Sequence, residues 1–245
     1  MNRKRVIAVF LSASFAVSIL TAPSDAQRRR GRPSPSQAAA AATPDNGCDL
    51  TPGGSDKARK PVKLRRPGLA YTQHNGGRAV GVADFFSFVC TLDAGVPAKK
   101  SDIPVDRPMA SEKEQFKLRA YVLAMKRDPD NDLHVQVADA ASPYNQQQLI
   151  VEIPPGADYC DARSALMDLF RADGGKKISS KGYKFKHPPH VELTGYLFLD
   201  AWHINGGRTD YCTNNGGRGI KGGLKVSPVR GLWEVHPVLS LKSVS

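Results

Sequence analysis

Two histidines and two glutamates stand at spacings that could do chemistry: His134, Glu152, Glu234 and His236. The first closes an Asp-x-Asp-x-His run (Asp130, Asp132, His134), and the last two form Glu-x-His. Imidazole nitrogens and carboxylate oxygens together can ligate a divalent metal at about 2.0–2.2 Å. They can equally serve as a general acid and base. Neither run is a specific signature, and a polar outer sheet face with imidazoles hydrogen-bonded to carboxylates would show the same residues. His203, shortly after Asp200, could join the set from the end of a strand or be a loop histidine. Two common catalytic signatures are absent: there is no GxSxG and no P-loop. No CxxC spacing exists either, which disfavours a structural zinc site.

A second candidate is basic. Asn-Gly-Gly-Arg occurs three times, ending at Arg78, Arg208 and Arg218. The flanks do not repeat, so one turn chemistry is used three times, because Asn-Gly accepts positive φ. Two copies fall in a glycine-rich stretch, residues 200–231, with Arg208, Arg218, Lys221, Lys225 and Arg230. Backbone N–H groups plus cations suit phosphate or carboxylate. A solvated, turn-rich insertion is the plainer alternative. The formal net charge of +12 favours polyanionic partners, nucleic acid or acidic glycan, without choosing among them. Tyr121, Tyr144, Tyr196 and Tyr211 are available for base stacking, but an aromatic share of 7% lends this little weight.

The elements that must position these residues follow from patterning. Residues 133–137 alternate apolar and polar, the period-2 mark of a half-buried strand. Similar reasoning predicts strands over 116–125, 149–153, 190–199 and 233–241. Asp128-Pro129-Asp130-Asn131-Asp132 predicts a turn. Asp161 is the expected N-cap of a helix over 162–172, ended by Gly174-Gly175. Strand, strand, strand, helix, strand, strand is the order of an OB-like five-stranded barrel, a mainly β fold with one helix. Strands two, three and five adjoin in that barrel, so His134, Glu152, Glu234 and His236 are expected to converge on its exposed exterior.

Upstream, residues 3–5 are basic, residues 6–19 are apolar, and Ser24-Asp25-Ala26 resembles a cleavage site. A signal peptide over 1–26 is therefore expected, with no membrane span in the mature chain. Cleavage would leave a net charge of about +10. Residues 27–60, Arg-rich and then Pro/Ala-rich, predict a disordered tether. Residues 61–108 predict a small subregion and linker, with 82–90 ambiguous between strand and helix. The barrel is expected over 109–245. Cys48, Cys90, Cys160 and Cys212 all follow the leader, so two disulfides are expected. Three pairings are possible; keeping one bridge per region favours Cys48–Cys90 with Cys160–Cys212.

The motifs D-x-D-x-H (130–134), E-I-P (152–154), T-G-x-x-F-x-D-x-x-H (194–203) and E-x-H-P-V (234–238) resemble a family of uncharacterised bacterial proteins, many of them exported. The resemblance covers about residues 110–241 and implies no mechanism; the long loop before Glu234 departs from it. Three functions stand open. The first is a non-catalytic, exported module that binds an anionic polymer or envelope component through the basic loop. The second is a metal-dependent hydrolase, of phosphodiesters for example, using the His/Glu set. The third is a structural envelope protein without a ligand.

Overall fold

A computed structural model describes residues 47–52, 59–65, 71–97, 99–142, 146–200, 212 and 231–245. The expected leader, most of the tether, Tyr144, Tyr211, His203 and the cations Arg208, Arg218, Lys221, Lys225 and Arg230 lie outside the described residues.

Five strands close a barrel: β1 (Glu114–Arg127), β2 (Leu133–Ala138), β3 (Gln148–Ile153), β4 (His190–Leu199) and β5 (Trp233–Ser243). Antiparallel ladders join β1 to β2, β2 to β3, β1 to β4 and β4 to β5. A short parallel seam, Val151 opposite Val235, joins β3 to β5 and closes the ring. This is the expected mainly β, OB-like barrel, with two-residue strands at 72–73 and 183–184 added to β1.

Alternation fills it. Leu133, Val135 and Val137 of β2, Leu149, Val151 and Ile153 of β3, and Trp233, Val235 and Leu241 of β5 enter one buried core. Side chains between them point to the opposite face because strand periodicity is two. The β1–β2 turn is closed by hydrogen bonds from Asn131 N to Asp128 O (2.9 Å) and Asp128 N to Asp132 O (3.0 Å), with Asn131 at φ 72°. Gly195 serves the opposite wall. A Cβ there would collide with the Val235 side chain and the Pro237 carbonyl, so β4 and β5 approach this closely only over a glycine.

Helix α1 (Lys60–Lys63) is one turn, α2 spans Val82–Leu92 and α3 spans Cys160–Ala172. The ambiguous apolar block is thus a helix, packing Val82, Phe85, Phe86 and Val89 on the barrel. Its N-terminus is held by Asp139, just after β2, which accepts from Val82 N and Ala83 N. The N-cap of α3 is Tyr159 rather than Asp161. A 3-10 turn at Ala157–Tyr159 runs directly into the helix, so Asp161 lies in the first turn and favours the helix dipole instead. The α3 terminus is as expected: Gly174 (φ 92°) and Gly175 donate back to Arg171 O and Phe170 O, both at 2.9 Å. At the first Asn-Gly-Gly-Arg, Asn75, Gly76 and Gly77 have φ of 51°, 62° and 77°, so this copy is a tight turn.

The disulfide pairing differs from expectation. Cys48 pairs with Cys160, and Cys90 with Cys212. Both bridges are long-range because residues 47–50 return to the start of α3, while Asp93 at the end of α2 holds Cys212 N (2.8 Å) and Trp233 Nε1 (2.8 Å). Two disulfides mark a compartment that is not reducing. Among the described residues, no helix is long and apolar enough to cross a membrane.

Residues 59–65, across the expected end of the tether at 60, are bonded to the barrel. Arg59 is 1% exposed, and its guanidinium grips both carboxylate oxygens of Glu112 while donating to Leu199 O (3.0 Å) and Pro104 O (2.9 Å). Arg65 donates to Glu112 O, Leu197 O and His236 O, each at 2.9 Å. Five donors in a rigid fork let arginine satisfy strand carbonyls that no apolar side chain could.

Candidate metal centre

Register builds the site. Across β2 and β3, His134 lies opposite Glu152. One residue beyond the Val151–Val235 seam, Glu152 runs beside His236. Glu234 precedes His236 by two residues on the same face. Three strands thus bring a row of imidazole, carboxylate and imidazole to the face opposite the apolar core.

Glu152 is the centre of this row. Its Oε1 lies 2.8 Å from His134 Nδ1, and its Oε2 lies 2.9 Å from His236 Nδ1. The β1–β2 turn adds a carboxylate at each end. Asp128 Oδ2 is 3.3 Å from His134 Nδ1, and Asp132 Oδ2 is 3.4 Å from His236 Nε2. Glu234 Oε1 is 3.1 Å from His236 Nδ1. Lys126 also pairs with Asp128, at 2.6 Å.

The expected convergence of His134, Glu152, Glu234 and His236 is found, but the expected exposure is not. Glu234 and His236 are 0% exposed, and Glu152 is 6%. Residues 59–65 lie alongside this face. Lys63 Nζ is 3.9 Å from Asp130 and 6.0 Å from the Phe198 ring centre, and the Phe198 ring packs 5.3 Å from that of His236. Arg59 and Arg65 stack over Phe198 and Tyr196 of β4. An outward-facing position is therefore a second buried layer.

Burial and mutual charge set the protonation states. Burial alone would raise the Glu152 carboxyl, yet hydrogen bonds from both imidazoles hold it well below the ordinary range. His134 loses hydration, but Asp128 and Glu152 together raise it. His236 is lowered, by burial first, with Lys63 adding to that against the pull of Glu152. Burial, then the charges of Glu152 and Asp130, push Asp132 well above its usual value. Burial and then Glu152 raise Asp130 as well. Lys63 is desolvated, but Glu152, Asp200, Asp132 and Asp130 raise it, so it stays an ammonium.

Such a set fits a divalent cation on three counts. Asp132, Glu152 and His236 form one triad of donor atoms within 4.8 Å of one another, and Asp128, His134 and Glu152 form another. Donors about 2.1 Å from one ion lie roughly 3.0–3.4 Å apart in octahedral or tetrahedral shells, and His134 Nδ1 lies at 2.8 Å from Glu152 and 3.3 Å from Asp128, close to that spacing. His236 Nε2 and His134 Nε2 are buried without a hydrogen bond. Asp132 must otherwise satisfy its charge with a proton.

Asp128 and Asp132 stand beside the two imidazoles although their run reads as turn chemistry; the Asp-x-Asp-x-His spacing was a signal for Asp132, and Asp128 had none. Lys63, Arg59 and Arg65 had none. His203 and the five loop cations lie outside the described residues. No family model matches the chain, and no curated protein and no solved structure gives a significant match, so what the site does is read from its own geometry.

Proposed function

We propose that this chain is an exported OB-like barrel protein, led out by the signal at residues 1–26, whose working site is a divalent-metal centre built on Asp132, Glu152 and His236. The observation that carries it is the buried Glu152 carboxylate between two imidazoles, with His236 Nε2, which makes no hydrogen bond, 3.4 Å from the Asp132 carboxylate. Nitrogen and oxygen donors in this ratio suit Zn²⁺ or Mn²⁺ rather than a thiophilic ion. Such an ion polarises a bound oxygen or acidifies a bound water. In the chain itself, Glu152 and Asp132 supply negative charge, His236 supplies nitrogen, and Phe198 with residues 59–65 excludes water.

That exclusion separates holding a metal from hydrolysing a substrate. A polymer reaches this face only when residues 59–65 move. The same segment is bonded to Leu197 and Leu199 of β4 and to His236 of β5. The basic loop, which carries Cys212 of the Cys90–Cys212 bridge, is a separate seat for an anionic polymer.

The test is elemental analysis of the purified chain after loading with Zn²⁺ or Mn²⁺ and exhaustive dialysis. Bound metal is expected in the wild type and is expected to be lost in Glu152→Gln, which keeps the side-chain volume. Thermal melts confirm that each variant folds. A folded wild type that retains no metal at micromolar concentration refutes the proposal.

A further inference from the structure

The two donor triads share one member. Asp132 and His236 lie on the Oε2 side of Glu152, and Asp128 and His134 on the Oε1 side. We infer that the cluster takes two divalent cations, one held by Asp132, His236 and Glu152 Oε2, the other by Asp128, His134 and Glu152 Oε1, with Glu152 as the bridging carboxylate. This rests on the metal reading above and extends it.

The two halves have matching chemistry. Each has one imidazole from a strand flanking β3 and one aspartate from the ends of the same β1–β2 turn. Asp128 and Asp132 are held together at its base by the hydrogen bond from Asp128 N to Asp132 O. The turn thus acts as a clip presenting one carboxylate to each side of Glu152. The pairing of His134 with Glu152, and the Val151–Val235 seam, put the imidazoles on opposite flanks of the same carboxylate. A carboxylate with both oxygens engaged on opposite sides is the ligand that two-metal sites use as a bridge.

Second, carboxylates crowd this face. Asp128, Asp130, Asp132, Glu152, Glu234 and Asp200 gather around this face, and Lys126 and Lys63 are the ammonium groups that pair with Asp128 and Asp130. Arg163 lies near Asp132 but gives its hydrogen bonds to Ile153 O and Asn131 O. Like charges out of water repel steeply. Third, His236 Nε2 and His134 Nε2 both lack a hydrogen bond although buried, so each imidazole keeps one nitrogen that the protein leaves unsatisfied. Each ion would see two oxygens and one nitrogen, a set that takes Zn²⁺ or Mn²⁺.

The experiment is a Mn²⁺ titration of the full chain after chelator treatment. It is read by metal content and by low-temperature electron paramagnetic resonance. Two Mn²⁺ per chain with a broadened, exchange-coupled spectrum are expected. Asp128→Asn and Asp132→Asn are each expected to drop to one Mn²⁺ with the sharp six-line spectrum of an isolated ion. Two ions with uncoupled spectra would overturn the bridge. One ion per chain, unaffected by Asp128→Asn, would overturn the second site while leaving the single-metal proposal standing. No bound Mn²⁺ or Zn²⁺ at all in a folded wild type would defeat both.

Discussion

Arg59→Ala tests whether residues 59–65 are fixed on the barrel. Glu112 accepts from both Arg59 Nη atoms, from Met109 N (2.8 Å) and from Leu199 N (3.0 Å). Both partners are out of solvent, at 1% and 0% exposure. Truncating Arg59 leaves a buried carboxylate with two amide donors and only the charge of Arg65, which bonds the Glu112 backbone rather than its carboxylate. It also strips a donor from Leu199 O and Pro104 O. Removing one member of a buried pair costs about 3–5 kcal/mol. Whole-domain stability is commonly only about 5–15 kcal/mol. For a domain of this size each kcal/mol shifts Tm by about 2–4 °C, so a fall of roughly 6–20 °C is expected. The assay is thermal and urea unfolding of Arg59→Ala, Glu112→Gln and the double variant Arg59→Met/Glu112→Gln. The double variant should lose less than Arg59→Ala, because no charge is then left buried alone. A Tm shift under about 2 °C for Arg59→Ala would refute the reasoning; it would mean that the segment is already detached in solution.

Other outcomes can be checked on the same protein. Gly195→Ala should cost about 1–3 kcal/mol in urea unfolding, because its methyl meets Val235 and the Pro237 carbonyl, and an unchanged midpoint would show that β4 and β5 can part. Non-reduced peptide mapping should link Cys48 to Cys160, and Cys48→Ser/Cys160→Ser should lose about 2–5 kcal/mol, since that bridge spans 112 residues; a Cys48–Cys90 peptide would contradict the fold. Asp132→Asn isolates a pH term. Burial, then Glu152, raises the Asp132 carboxyl in the folded chain. The unfolded chain releases this proton near pH 4 and the folded chain only higher, so metal-free wild type loses stability as pH rises between those values. The amide of the variant has no proton to release, so Asp132→Asn should gain on the wild type from about pH 4 to 7; a constant gap across that range would count against a raised Asp132.

The barrel was legible because alternation survives in single strands: residues 133–137 and 149–153 place their apolar members inside. The row of His134, Glu152, Glu234 and His236 followed from the same period of two, once the strand order was fixed. Exposure did not follow. Outwardness along a strand says nothing of what lies over it, and residues 59–65 straddle the expected boundary between the tether and the small subregion. Their burial depends on Glu112, Leu199 and His236, partners 47 or more residues away. Local propensity carries no trace of such partners. The disulfides failed for a related reason: chain proximity favoured Cys48 with Cys90, whereas the fold returns residues 47–50 to α3. Asp128 and Asp132 were visible, but a turn rich in Asp, Asn and Pro explains itself through turn chemistry alone.

A chain with a formal charge of +12 hides a cluster of carboxylates behind basic side chains. Arg59, Lys63 and Arg65 stand on or beside the face that leads to Glu152, so a cation approaching from solvent meets positive charge first. Metal in the proposed centre should therefore exchange only when residues 59–65 lift, by a local opening rather than by diffusion through a channel. Arg59 anchors the closed form and is hydrated once the segment lifts. Weakening the anchor by about 3 kcal/mol raises the open population, and the exchange rate with it, by roughly a hundredfold. The measurement is the half-life of bound Zn²⁺ against excess chelator, in wild type and Arg59→Ala, below the melting range of both. Equal half-lives would show that the ion leaves by a path that residues 59–65 do not guard.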